Sequence, residues 1–262
     1  MTLKIAVSGK GGTGKTTLSG LLVVSLIKQG KMPVLAIDAD ANATLHETLG
    51  AAPETTIGDM RENTRKNIGA IPPGVPKETF LELKVQEAVT EGAGFDLLVM
   101  GRPEGSGCYC YVNSVLRKYV DVLAGNYPYV VMDNEAGMEH LSRRTSQGAD
   151  TLLICSDPTV RGIMTAERIA ALAGEEDMNV GRVCLVIGRQ PSLPAGSSER
   201  AGAVLPERVL EKIKESGLDL IGIIPHDGEI EKIDLAGGSF LDLPDDSPAL
   251  LAAKEILRKI EN

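Results

Sequence analysis

Seven short stretches of this chain are apolar almost without interruption: Leu3 to Val7, Pro33 to Ile37, Phe95 to Met100, Tyr129 to Met132, Thr151 to Cys155, Arg182 to Ile187 and Leu220 to Ile224. Each has the length and β-branched content of a strand, and none shows the in-out alternation of a strand wetted on one face. Strands of this kind must be covered on both sides. Helical repeats at Thr16 to Gln29, Val112 to Ala124, Met138 to Gln147, Ile163 to Ala173 and Pro206 to Ser216 fall between them and supply the cover. Strand-then-helix alternation demands right-handed crossovers, so the expected fold is α/β, a doubly wound and mostly parallel sheet of about seven strands. The stretch from Ala52 to Gly94, broken by Ile71-Pro72-Pro73-Gly74-Val75-Pro76, is expected to lie outside the sheet. The loop from Gln190 to Leu205 is long for a compact domain, which points to function or mobility.

A length of 262 residues with 43% hydrophobic content suits one large domain over residues 1–262. The charge balance, 27 basic against 36 acidic side chains, gives −9 and opposes binding to nucleic-acid phosphates. Apolar runs such as Leu18 to Ile27 fall short of the roughly 20 residues that cross a bilayer. The start, Met1-Thr2-Leu3-Lys4-Ile5, passes directly into a strand pattern without a leader, and four cysteines are too few for a disulfide scaffold. A reducing, cytoplasmic location is therefore expected. In the tail, Leu250, Leu251, Ile256, Leu257 and Ile260 form an apolar stripe, while Lys254, Arg258 and Lys259 alternate with Glu255 and Glu261. A polar face of both signs is weakly drawn to anionic lipid, so the tail is expected to pack on the sheet, without stable membrane association.

The segment Gly9-Lys10-Gly11-Gly12-Thr13-Gly14-Lys15-Thr16-Thr17 follows the first strand and opens the first long helix. It satisfies G-x-x-x-x-G-K-[ST] in the strand, loop and helix setting that the motif requires. Gly9, Gly11, Gly12 and Gly14 let the backbone curl until successive N–H groups face one anion, and the helix N-terminus adds partial positive charge. Lys15 can reach the β and γ phosphates of a nucleotide, and Thr16 can ligate magnesium. Thr13 and Thr17 complete the loop. Two acidic clusters fall where such a site needs them: Asp38 and Asp40 in Ile37-Asp38-Ala39-Asp40-Ala41-Asn42, and Asp133 in Val131-Met132-Asp133-Asn134-Glu135-Ala136-Gly137. Both lie at the C-terminal edge of the sheet, the edge that carries the loop, although each aspartate taken alone also suits a helix cap.

Lys10 is a second ammonium inside the loop, and with it the chain resembles the deviant P-loop ATPases that include the nitrogenase iron protein, MinD and ParA. The resemblance implies a homodimer closing over two ATP molecules, with Lys10 crossing to the partner's phosphates. It implies that Asp40 orients or activates the attacking water, that Asp38 supports it, and that Asp133 holds the magnesium shell. It also implies that Gly137 lets the following loop respond to the γ phosphate. For the base, Ile187-Gly188-Arg189 stands where relatives commonly place an asparagine that reads adenine, which leaves Arg189 beside a side-chain-free position. Pro225 and Asp227, in Ile224-Pro225-His226-Asp227, match the later family segment whose backbone lines the base, and ATP is expected over GTP.

Cys108-Tyr109-Cys110 follows Gly105-Ser106-Gly107. Two thiolates so placed can share a metal, form a redox pair or simply be small buried apolar residues. If they bind metal, one chain supplies two sulfurs, and a closed four-ligand site needs the same pair from a second chain. The stretch Gly101-Arg102-Pro103-Glu104-Gly105-Ser106-Gly107-Cys108-Tyr109-Cys110-Tyr111-Val112-Asn113, with Asp133-Asn134-Glu135-Ala136-Gly137-Met138-Glu139-His140-Leu141, resembles the nickel-insertion ATPases of the CooC and AcsF group. That likeness implies that Cys108 and Cys110 hold nickel or zinc across a dimer and that the client is carbon monoxide dehydrogenase or acetyl-CoA synthase. The alternative is a positioning ATPase of the MinD or ParA class, acting on membrane or DNA. Cys155 and Cys184, inside strand patterns, are expected in the core, and His46, His140 and His226 on helix surfaces or caps.

Overall fold

The computed structural model describes residues 2–40, 42–66, 74–101, 118–135, 148–174, 179–188 and 205–262. Among them one sheet is built from β1 (Leu3–Gly9), β2 (Val34–Ala39), β3 (Val89–Glu91), β4 (Phe95–Val99), β5 (Tyr129–Asn134), β6 (Ala149–Ser156), β7 (Val180–Ile187) and β8 (Asp219–Ile223). The strand order is β3-β4-β2-β5-β1-β6-β7-β8, and every pairing is parallel except β3 with β4. β1 is central: from it the chain passes to β2, out to the edge at β3 and β4 and back to β5 on one side, then crosses β1 and winds outward through β6, β7 and β8 on the other. A site at the C-terminal end of β1 therefore sits where the winding reverses.

The helices are α1 (Lys15–Lys28), α2 (Leu45–Leu49), α3 (Ile57–Lys66), α4 (Lys77–Glu87), α5 (118–124), α6 (Val160–Ala173), α7 (Glu207–Ser216), α8 (Gly228–Ala236) and α9 (Pro248–Glu261). Period-two alternation along each strand divides the core into two layers. Ile5 and Val7 of β1 join α1 and α9 on one face, whereas Ala6 joins α6 and α7 on the other. α1 is apolar nearly all round because it is enclosed; Leu21, Leu22, Val23, Val24 and Leu26 have no exposed surface. α9 lays Leu250, Ala253, Ile256 and Leu257 into this layer, against α1 and β8. Burial of each such leucine or isoleucine stabilises by about 1.5–3 kcal/mol, so Leu250, Ile256 and Leu257 of the tail stripe belong to the core, while Ile260 is partly buried against it and Leu251 is 49% exposed. No helix among the described residues is long and apolar enough to cross a membrane.

The expectation that Ala52 to Gly94 lies outside the sheet is corrected in part. Val89, Thr90 and Glu91 pair antiparallel with Leu98, Leu97 and Asp96, adding an eighth strand at the edge. A tight turn allows this pairing: the Gly92 N–H reaches the Phe95 carbonyl at 2.8 Å and returns the chain straight into β4. α3 and α4, from the same insertion, place Ile57, Met60, Leu81 and Val85 in the core layer that includes α6 and α7. The helix expected over Met138 to Gln147 and the loop over Gln190 to Leu205, apart from Leu205 itself, lie outside the described residues, as does the first part of the Val112 to Ala124 helix.

Candidate nucleotide site

β1 runs out of its ladder at Gly9, and the chain turns through residues 10–14 into α1. Gly14, the residue before the helix, has φ +92°, a left-handed conformation that L side chains resist. Gly9 is held by close approach: a Cβ there would lie 2.2 Å from the Cys155 carbonyl oxygen. Thr13 braces the turn, its hydroxyl donating to the Lys10 carbonyl at 2.8 Å. α6, α8 and α9 are each capped by a side chain, Thr159, Asp227 and Ser247 respectively. α1 has no side-chain cap and no acidic residue in its first turn. Its leading N–H groups and dipole thus remain available to an anion. Lys15 is buried at 7% exposure, at the head of α1, while Lys10, Gly11 and Gly12 face solvent.

The carboxylates assemble beside this loop. Asp38 on β2 and Asp133 on β5 are register partners, and both are buried. Asp38 accepts backbone N–H groups from Leu45 at 2.9 Å and Asp40 at 3.1 Å, folding the segment between β2 and α2 around one side chain. Burial raises its pKa to about 6, against those two hydrogen bonds and with help from the Asp40 charge. Asp133 is raised further, to about 7, first by burial. The Thr16 hydroxyl opposes the shift, the Asp38 charge adds to it, and Ser19 and Lys15 again oppose it. Ser19 Oγ donates to Asp133 Oδ1 at 3.2 Å, whereas Oδ2 is buried without a partner. A buried carboxyl that keeps one oxygen without a partner, and that the Thr16 hydroxyl also acts on, fits a divalent cation held by oxygen ligands. Asp40 is half-buried and accepts the Asn42 N–H at 2.8 Å.

The segment expected near the base is tied to the same edge, since Ile224 N–H donates to the Ile187 carbonyl at 2.7 Å. Pro225 follows, half-buried. The side chain of Asp227 is structural. Its Oδ1 takes the Glu229 N–H, and its Oδ2 takes the Ser247 hydroxyl at 2.6 Å and the Ala249 N–H at 3.2 Å. It thereby joins the starts of α8 and α9. Cys155 and Cys184 are buried, as expected, at 1% and 0% exposure. His226 is exposed and faces Glu231 at 2.7 Å. Cys108, Cys110, Gly137, His140 and Arg189 lie outside the described residues. Among the described residues no cluster of three or more His, Cys, Asp or Glu side chains is arranged to hold a metal. Sequence reasoning missed Ser19, whose one signal, a hydroxyl within the apolar stretch of α1, it shares with Ser25.

A parallel sheet whose central strand ends in a glycine-rich loop, an uncapped helix and two buried carboxylates defines a P-loop nucleotide-binding protein. Residues 4–240 match the CobQ/CobB/MinD/ParA nucleotide binding domain, and the chain belongs to that family of P-loop ATPases. It is 42% identical over 260 residues to an uncharacterized ATP-binding protein of Methanocaldococcus jannaschii, covering 98% of each chain. It is 33% identical over 272 residues to the carbon monoxide dehydrogenase accessory protein CooC of Rhodospirillum rubrum, covering 96% of this chain and 95% of that one. Among solved structures, a chain of the MinC:MinD cell division complex of Aquifex aeolicus superposes with a TM-score of 0.67 at 26% identity, over 100% of this chain and 96% of that one.

Proposed function

We propose that this protein is an ATP-hydrolysing, nucleotide-dependent dimeric metallochaperone that assists nickel insertion into carbon monoxide dehydrogenase or acetyl-CoA synthase in the cytoplasm, as one domain over residues 1–262. The observation that carries the reading is the end-to-end likeness to the CooC accessory protein, at 33% identity. Cys108 and Cys110 are the cargo ligands, two from each subunit, taking nickel or zinc.

In this reading Gly9, Gly11, Gly12, Thr13, Gly14 and Thr17 shape the phosphate cradle, and Lys15 neutralises the β and γ phosphates. Thr16 and Asp133 would hold the magnesium, which supplies further neutralisation of phosphate charge. Asp40 orients the attacking water, and Asp38 holds Asp40 in place through the backbone N–H it already binds. Lys10, exposed at the loop tip, reaches the phosphates of the second subunit. ATP thus draws two copies together, and hydrolysis to ADP with loss of phosphate removes the charge that bridged them. Arg189 and the backbone of Pro225 and Asp227 line the base.

The MinD-like fold supports a second reading, a positioning ATPase that binds membrane or DNA as an ATP-dependent dimer. Two features weigh against it: α9 is packed into the core, and the net charge is −9. Nickel and zinc titrations of anaerobically reduced protein, with and without nucleotide, separate the two. About one metal per dimer, lost in Cys108→Ala, supports the chaperone. ATP-dependent retention on liposomes or DNA without metal binding supports the positioning ATPase.

A further inference from the structure

A loop that aims its N–H groups at a phosphate must turn carbonyls the other way, into the protein, where a carbonyl lacking a donor is costly. Two loop carbonyls are met from inside. The Lys10 carbonyl accepts the Thr13 hydroxyl at 2.8 Å and is approached by the Thr13 N–H at 3.4 Å. The Thr13 carbonyl accepts the thiol of Cys155, at 3.1 Å, from a position 142 residues further along the chain. Cys155 lies near the end of β6, 1% exposed, and Thr13 is 2% exposed, so this contact is dry.

The next strand shapes the same seat. Gly188 follows β7, and its N–H donates to the Ser156 carbonyl at 2.9 Å. A Cβ at Gly188 would stand 2.4 Å from the Thr13 carbonyl oxygen and 2.9 Å from Cys155 Sγ. The first obstacle is backbone, which cannot yield by changing rotamer. Position 188 is thus reserved as space for the underside of the loop, and no side chain there fits beneath it.

We infer that Cys155 is a positioning residue for nucleotide binding, its thiol holding the Thr13 carbonyl inward so that the loop presents its N–H groups outward, with Gly188 leaving the room that this requires. The effect passes along hydrogen bonds, from Cys155 to Thr13 and from Thr13 to Lys10. Cys155 touches no phosphate.

The test compares Cys155→Ser, Cys155→Ala and Cys155→Val in the full chain, by steady-state ATPase kinetics and by the rise in Tm that magnesium-ADP produces. The alanine and valine variants should raise KM for ATP by about 3- to 10-fold, the range for one lost hydrogen bond, and shrink the ADP-induced rise. Serine retains a donor and should stay within about twofold of wild type. Purely structural packing would lower the nucleotide-free Tm without separating serine from valine in KM. Valine with wild-type KM and a wild-type ADP response overturns the inference. A measurement on wild type guards against misfolded variants: alkylation by N-ethylmaleimide, followed by peptide mass spectrometry. Magnesium-ADP should slow labelling of Cys155 relative to Cys184; equal slowing of both, or none, also overturns it.

Discussion

Asp38 and Asp133 stand side by side on adjacent parallel strands, 95 residues apart in the chain, with their carboxyls buried on the face that α1 covers. Neighbouring strands are about 4.8 Å apart, so two charges here would repel in a poorly screened setting. Burial raises both carboxyls, Asp38 to about 6 and Asp133 to about 7, and a charge on Asp38 adds to the rise at Asp133. This strained arrangement suits a site completed by a cation.

Without nucleotide or magnesium, that pair should make the protein less stable as pH rises. Both carboxyls sit above the ordinary value of 3.8, so between there and about 7 the folded chain binds more protons than the unfolded one. The stabilisation is complete below the unfolded value and is lost as pH climbs through about 6 and about 7. Thermal melts in EDTA from pH 5 to pH 8 should show a fall in Tm that is smaller in Asp133→Asn. Parallel curves for the two proteins would contradict the assignment.

The two lysines should separate by readout. Lys15→Ala should lower kcat/KM for ATP by about 100-fold or more, the scale for removing a group that stabilises developing charge. Lys10→Ala should retain nucleotide binding yet lose ATP-dependent dimerisation, measured by light scattering. A full ATP-dependent dimer in the Lys10 variant would remove it from the interface.

Asp227→Ala should cost about 2–4 kcal/mol in urea unfolding at pH 7, because one substitution removes the cap of α8 and leaves the Ala249 N–H in the first turn of α9 and the Ser247 hydroxyl without their acceptor. Burial alone would raise this carboxyl, yet the Ser247 hydroxyl and the Glu229 and Ala249 N–H groups hold it below the usual value. The difference from wild type should therefore shrink at acid pH, as the folded carboxyl protonates. If the cost stays below about 1 kcal/mol, the junction that Asp227 makes between α8 and α9 contributes little.

Cys108→Ala and Cys110→Ala should each abolish tight nickel or zinc binding while leaving the ATPase rate of the metal-free protein within about twofold, since a thiolate pair is emptied by removing either member. Retention of stoichiometric metal by both single variants would place the ligands elsewhere.

Much of this architecture was legible in the linear chain. The buried strands announce themselves as unbroken apolar runs, and Gly9 to Thr17 states much of its own conformation, since the positive φ angles at Gly9, Gly12 and Gly14 favour glycine. The edge strand β3 escaped because Val89-Thr90-Glu91 is three residues long and is made a strand by β4 beside it. α2 escaped for a similar reason: five residues carry no readable period, and Asp38 draws in the first N–H of that helix from seven positions away.

The chain by itself determined the parallel sheet, the phosphate loop and the residue types at its edge, because hydrophobic period and glycine content act over a few neighbouring residues. Tertiary structure alone decided that Asp38 faces Asp133, that Asp227 closes two helices, and that a core cysteine supports the underside of the loop. Those relations depend on strand register and on how close two backbones come, quantities that exist only once distant segments have packed.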